Sequence, residues 1–429
     1  MLNGLRRPAV LLRYGRARDS RLINEVTQRG WLDGLVVPGN ILAYQAVATP
    51  HYVRSFDLPY VIDPMSYVFA RKDWFMPANE MRPSIRKLLE SHGKALHAVC
   101  EGEARALQPD DLTSTFLDDL AAGAIDFQTS AVSQTPSAHI ERYFKFLKRT
   151  PPSPKGRAPE AVVAPYFFVD AGDSGPSWLD ANLQVVSAVA QAGNPVAAVL
   201  FYDTRLCVPS PRPLWRRVIT GYQQCEAETI FLWADNLEDD FEDPGPGRGL
   251  AEATKALASS GKRVLALYGG YFSLLLHRKG MAGISHGMLY TQHKAAEAAG
   301  SPAGPPPVRY YFPDFHQFRS IAQAVRIVDS ASIGVPCDCT ICRAIFQGDP
   351  GRIVEFEDVT CATRHFMAAR RSEADLVART DLKDLLRQLE QAYNRWHRVV
   401  AGLPNPDSDF GALMRGLQHL RAWVAALTD

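Results

Sequence analysis

The chain has 429 residues, with 47 Lys and Arg against 46 Asp and Glu for a net charge of +1, and 46% of it is hydrophobic. That balance excludes a disordered chain, which needs fewer apolar residues and more net charge. It also excludes a polybasic protein that holds nucleic acid by bulk charge, so any such contact must come from a local basic surface.

The length, about twice that of a typical domain, predicts two domains or one large domain with an appendage. The N-terminal segment carries Arg6, Arg7, Arg13, Arg16, Arg18 and Arg21 but no apolar core of secretory length, and Asp19 and Glu25 interrupt an acid-poor presequence. No stretch reaches the roughly 18 apolar residues of a membrane span. Seven cysteines are too few for a secreted disulfide scaffold of this size. The expectation is a soluble, cytoplasmic protein with no membrane partner.

Eight short apolar segments follow one another at 34–38, 59–63, 162–170, 196–203, 229–235, 264–269, 281–285 and 308–312. They are near-continuous runs, not alternating ones, which predicts strands buried on both faces of a parallel sheet. The Ala- and Leu-rich segments 178–193 and 250–260 fit crossover helices between them. Eight βα units predict a (β/α)8 TIM barrel. An open doubly wound sheet is the alternative, although no G-x-G-x-x-G follows an early strand. The gap at 64–161 is too long for one crossover. Its helical stretches and Pro-rich loop at 150–156 predict a helical insertion. From residue 372 the leucine spacing predicts C-terminal helices packed on the barrel, so the division is 1–371 and 372–429, with a subdomain at about 335–371.

That subdomain holds the most specific motif. Cys337, Cys339 and Cys342 are followed by His365 in a C-x-C-x2-C pattern with a distant histidine. Three thiols and an imidazole make a closed tetrahedral set for one structural zinc, which would pin a loop lacking its own core. Cys361 and His316 are the rival ligands.

This motif, placed after the last barrel strand, resembles the tRNA-guanine transglycosylases, and most of all their DNA-directed relatives, which insert a 7-deazaguanine into DNA. The resemblance covers about residues 34–371. It implies a pentosyltransferase that swaps guanine for a free preQ0-type base through a covalent glycosyl-aspartate. DNA is the implied substrate. A tRNA substrate and a non-catalytic nucleic-acid-binding barrel are the alternatives, and a helicase-like or nuclease-like partner protein is compatible with any of them.

Catalytic candidates lie at C-terminal strand ends. Four segments end in an acid: Asp63, Asp170, Asp203 and Asp235. The resemblance gives Asp63 a part in the chemistry, although the turn Asp63-Pro64-Met65-Ser66 lacks the glycines of the family. Asp170 matches the acid that holds the base. The nucleophilic aspartate of the family's seventh strand is missing, because Ser285-His286-Gly287 stands there. Asp235 is therefore the expected relocated nucleophile, with Asp203 second, and Ser285 and His286 are expected to bind substrate. For each aspartate the competing role is a helix N-cap. Gly269 and Gly270 permit close approach of a ligand to the backbone, and Tyr67, Tyr268 and Tyr271 are candidates to stack on a purine. Basic clusters at Arg142, Lys145, Lys148, Arg149, Lys155 and Arg157, and at Arg364, Arg370 and Arg371, are candidate phosphate contacts.

Overall fold

The computed structural model describes residues 4–15, 20–76, 80–132, 138–146, 157–208, 213–237, 240–288, 308–331, 334–401, 411 and 417–428. Eight parallel strands form one sheet: β1 (Ala9–Arg13), β2 (Gly34–Pro38), β3 (Tyr60–Asp63), β4 (Val162–Val163), β5 (Val196–Tyr202), β6 (Thr229–Ala234), β7 (Arg263–Ala266) and β8 (Met281–His286). Their spatial order is β3-β2-β1-β8-β7-β6-β5-β4. The two ends of that order meet where the Glu160 amide donates to the Tyr60 carbonyl at 2.9 Å. The sheet thus nearly closes into a (β/α)8 barrel, and the open doubly wound alternative falls.

Every residue of the eight strands is buried. Strands covered on one face by helices and on the other by the barrel interior have no solvent side, which is why their sequences do not alternate. Leu11 of β1 registers with Gly34 on one side and Ser285 on the other. Gly283 lets β1 and β8 approach, since a Cβ there would lie 2.5 Å from the Ala9 carbonyl oxygen.

The strand count of eight is right, but one member differs from expectation. Ala9–Arg13 is the first barrel strand, and 308–312 is not the eighth. Arg309–Phe312 (β9) pairs antiparallel with Gln317–Ser320 (β10) outside the barrel, across a turn that contains Pro313 and His316, the latter at φ 56°. A short apolar run reads the same in a barrel and in a hairpin. Each strand-end acid therefore belongs one strand later than its place in the sequence series suggests.

The insertion at 64–161 is helical where described, chiefly Pro83–Glu90, Ser114–Ser130 and Ala138–Phe146. Helices Leu382–Ala401 and Gln418–Leu427 form the C-terminal appendage. The appendage is tied down by His419, whose Nε2 donates to the Phe315 carbonyl at 2.9 Å, and by the buried Trp423. One helix, Val359–Arg379, runs straight through the expected boundary at 371–372, so the Cys/His loop and the appendage share an element. Among the described residues no helix is long and apolar enough to cross a membrane.

Candidate metal centre and barrel mouth

Cys337, Cys339, Cys342 and His365 converge, with one donor atom from each lying within 4.8 Å of the others. The three cysteines approach through N–H···S contacts: the Cys339 amide donates to Cys337 Sγ and the Cys342 amide to Cys339 Sγ, each at 3.4 Å. His365 reaches them from the long helix Val359–Arg379. Its Nδ1 lies 3.5 Å from Cys339 Sγ and 3.2 Å from Cys342 Sγ. Its Nε2 donates to the Tyr311 carbonyl at 2.6 Å, and that bond fixes the tautomer that turns Nδ1 toward the sulfurs. The Tyr310 ring stacks on the imidazole at 4.4 Å, and its hydroxyl lies 3.3 Å from Cys342 Sγ.

Burial disfavours charge on His365, but hydrogen bonds and charge from Cys337 and Cys339 overcome it and push the imidazole up to about 9. Contacts with Cys337 and Cys342 hold Cys339 well below the usual thiol range. The same contacts with Cys337 and Cys339, together with burial, push Cys342 up, so the cluster keeps thiol protons that a bound metal ion would displace. The rivals are engaged elsewhere. Cys361 donates to Asp358 at 3.4 Å, and His316 pairs with Glu373 at 2.7 Å.

The C-terminal mouth of the barrel contains two separate groups of acids. In the first, Asp63 is 1% exposed. It accepts from Arg13 Nη1 at 3.0 Å, the Tyr166 hydroxyl at 2.9 Å and the Met65 amide at 3.0 Å. Met65 sits at φ 54°, so the turn takes the left-handed conformation without a glycine, and the Asp63 carboxylate secures it. Ser66 locks the same turn to the loop after β4, donating to the Tyr166 carbonyl and accepting from the Tyr166 amide. The Arg13 guanidinium lies 4.4 Å from the centroid of the Tyr268 ring. Burial opposes the charge of Arg13, while Tyr268 and Asp63 favour it and raise it above the ordinary arginine value. Burial pushes Tyr67 and Tyr166 well above the ordinary phenol value, so Tyr166 is the donor to Asp63. Aromatic rings fill the space beside this pair. Phe201 stacks on Trp233 at 3.6 Å, and Tyr67 meets Trp233 edge-on at 4.9 Å.

The second group surrounds Arg205. Asp203 caps the short turn Thr204–Cys207 and takes the Arg205 side chain at 2.5 Å. That hydrogen bond, the Asp203 charge and the fields of Asp170 and Asp235 raise Arg205 above its ordinary value. Of the four predicted acids, Asp203 alone holds this exposed guanidinium, while Asp63 holds Arg13. The cap role expected as the alternative holds for Asp203, whereas Asp170 accepts from the Gly172 amide and the Ser174 hydroxyl within the turn ahead of helix Gly175–Gln191, whose N-cap is Ser174.

The remaining predicted substrate contacts follow β7 or end β8. Ser285 is buried and donates to the Leu267 carbonyl at 2.8 Å, while its own carbonyl accepts from Gly269. His286 is buried with Nδ1 2.9 Å from the Gly287 carbonyl and its ring edge against Phe366. Gly269 is required by packing, as a Cβ would meet Ile284 at 2.7 Å. Gly270 precedes the short helix Tyr271–Leu275, and Tyr271 stacks on His316 at 3.4 Å.

The second basic cluster is not a free surface. Arg364 pairs with Glu25, Arg370 with Glu373 and Arg371 with Asp33, and the last two arginines are buried. In the first cluster Arg142 and Lys145 are exposed and Arg157 pairs with Glu160. Lys148, Arg149 and Lys155 lie outside the described residues. Sequence reasoning missed Arg13, Tyr166 and Arg205. Only Arg13 left a signal, as a cation ending an apolar strand.

A scan against models of known protein families finds no match to this chain, and a search of curated proteins finds none either.

Proposed function

We propose that this chain is a zinc-binding transglycosylase that exchanges guanine in DNA for a 7-deazaguanine derivative. The reading is carried by one combination within a (β/α)8 chain: a Cys3His tetrad beyond β8, and the aspartates Asp170, Asp203 and Asp235 following β4, β5 and β6, of which Asp203 holds Arg205. Zinc suits three thiolates and an imidazole, and in a closed tetrahedral set its contribution is to hold the loop together.

The exchange needs a carboxylate beside the sugar. An Asp235 oxygen attacks C1′ as the bond from C1′ to N9 breaks, the electron pair of that bond goes to N9, and the departing guanine takes a proton there from water. N9 of the incoming base then gives its proton to the hydroxide left by that water and attacks C1′, and the ester bond breaks with its electron pair returning to Asp235. Asp170 retains acceptor capacity beyond its turn contacts for the adjacent N1–H and amine of a guanine-like base. A base in a duplex has to leave the stack before this attack.

The test is base exchange with labelled guanine in duplex DNA and in tRNA, with and without a helicase-like partner. Label exchange in DNA that Asp235→Asn abolishes supports the reading, and exchange in tRNA alone transfers it to RNA. A second reading, a non-catalytic nucleic-acid-binding barrel, is favoured by the enclosure of Asp63 with Arg13 and by the packing role of Ser285. Binding of both nucleic acids with exchange in neither would select it.

A further inference from the structure

The ends of β5 and β6, and the segment that rejoins the sheet after β4, run in register at the barrel mouth. Val169 bridges Tyr202, and Tyr202 is level with Ala234. The Asp203 amide donates to the Val169 carbonyl at 3.0 Å, and the Asp235 amide to the Tyr202 carbonyl at 2.9 Å. Asp170, Asp203 and Asp235 therefore stand abreast on three neighbouring strand ends. Two residues before each acid, Phe168, Phe201 and Trp233 form a row of rings with centroids 4.8 Å and 3.6 Å apart. Residues two apart on a strand share a face, so the acids form the next layer above the rings, toward the opening. At the usual strand spacing Asp170 and Asp235 lie about 10 Å apart, with Asp203 midway.

Asp203 fixes an arm at that midpoint. Its carboxylate takes Arg205 Nε at 2.8 Å and Nη2 at 2.5 Å, and the arginine side chain is still 78% exposed. A guanidinium carries five N–H donors in a planar fork, so three are left that no bond among the described residues takes. The row sets three carboxylates against one guanidinium, a charge balance that repels a phosphate. It suits an uncharged planar ligand with donors toward Asp170 and an acceptor toward Arg205. A guanine-like base has such an edge, because the acceptor O6 lies beside the N1–H and amine donors.

We infer that Arg205 is a specificity-determining residue that donates to O6 of the base, resting on the transglycosylase reading, in which Asp170 takes the N1–H and amine and Asp235 meets C1′. The test is equilibrium dialysis of the full chain at neutral pH with labelled guanine and labelled 6-thioguanine. The second base keeps the N1–H and amine but replaces O6 by sulfur, a weaker acceptor. The wild type should bind guanine saturably and about tenfold more tightly than 6-thioguanine, the size of one charge-assisted hydrogen bond. Arg205→Met should weaken guanine by that factor and leave 6-thioguanine unchanged, which erases the preference. Because the side chain is exposed, this variant should keep the wild-type urea midpoint. Absence of guanine binding by the wild type, or a guanine preference that survives in Arg205→Met, overturns the assignment. If Arg205→Met instead weakens binding of single-stranded DNA and leaves guanine binding as it was, the guanidinium meets phosphate and the assignment falls. No DNA and no turnover enter the dialysis. A guanine preference that depends on Arg205, without exchange in DNA or tRNA, fails the transglycosylase reading alone. Exchange together with a preference kept in Arg205→Met fails the role of Arg205 alone.

Discussion

Arg13 and Asp63 end β1 and β3 and meet in the barrel interior at 3.0 Å, with side chains only 6% and 2% exposed. Removing one partner leaves the other charge buried and uncompensated, a loss of about 3–5 kcal/mol, whereas replacing both by apolar groups is far less damaging. Arg13→Met should therefore lower urea stability by that amount, and adding Asp63→Leu should recover part of it. A single variant within 1 kcal/mol of wild type would show that the pair is not holding the mouth together. The pair was half legible. Parallel strands present their C-terminal ends together, so an acid ending a strand marks the mouth from sequence alone. Nothing in the sequence tells which cation an acid meets. Arg13 lies among many arginines and 50 residues from Asp63, and Arg205, two residues after Asp203, reads as an ordinary loop charge.

The helix Val359–Arg379 is where local pattern and tertiary structure diverge most. It carries His365 to the cysteines, and it also fastens the barrel through Arg364–Glu25 and Arg371–Asp33. The metal motif was legible because its cysteines are close in sequence. The buried role of the arginines was not, since a charged face and a buried ion-paired face have the same composition. Two outcomes follow for the metal. One metal ion per chain is expected, lost in Cys342→Ser and retained in Cys361→Ser, as elemental analysis will check. Chelation should raise amide exchange across 334–358, where the loop depends on the tetrad, and leave β1 to β8 protected. Equal deprotection of the strands would show that the metal supports the whole barrel.

At the scale of the whole molecule, stability should fall with acidity in two stages. His92 is fully buried in the helical insertion between the rings of Phe69 and Phe127, with Nδ1 3.0 Å from the Leu88 carbonyl. Burial pushes it down from 6.5 to about 4, against weaker opposing hydrogen bonds. The folded pKa lies below the unfolded one, so the unfolded chain takes up the proton first. Stability is then complete above about pH 6.5 and falls as pH drops toward 4, by about 3 kcal/mol for this group. His51 and His277 are lowered by burial too and act in the same direction. The second stage belongs to Glu373, which accepts from Tyr311 and pairs with His316 and Arg370. Burial disfavours its charge, but Arg370 and His316 outweigh this and hold it below 4.5. Its contribution is present above the unfolded value and disappears as pH falls through the folded one. Urea midpoints at pH 7.5, 5 and 3.5 separate the stages. His92→Gln, which keeps an N–H for Leu88 but does not titrate, should shrink the loss between pH 7.5 and 5 by about 2 kcal/mol and that between pH 5 and 3.5 by about half as much. Glu373→Gln should do the reverse, lowering stability at neutral pH and flattening the curve below pH 4.5. If His92→Gln loses as much stability as wild type between pH 7.5 and 5, the upper stage comes from other groups.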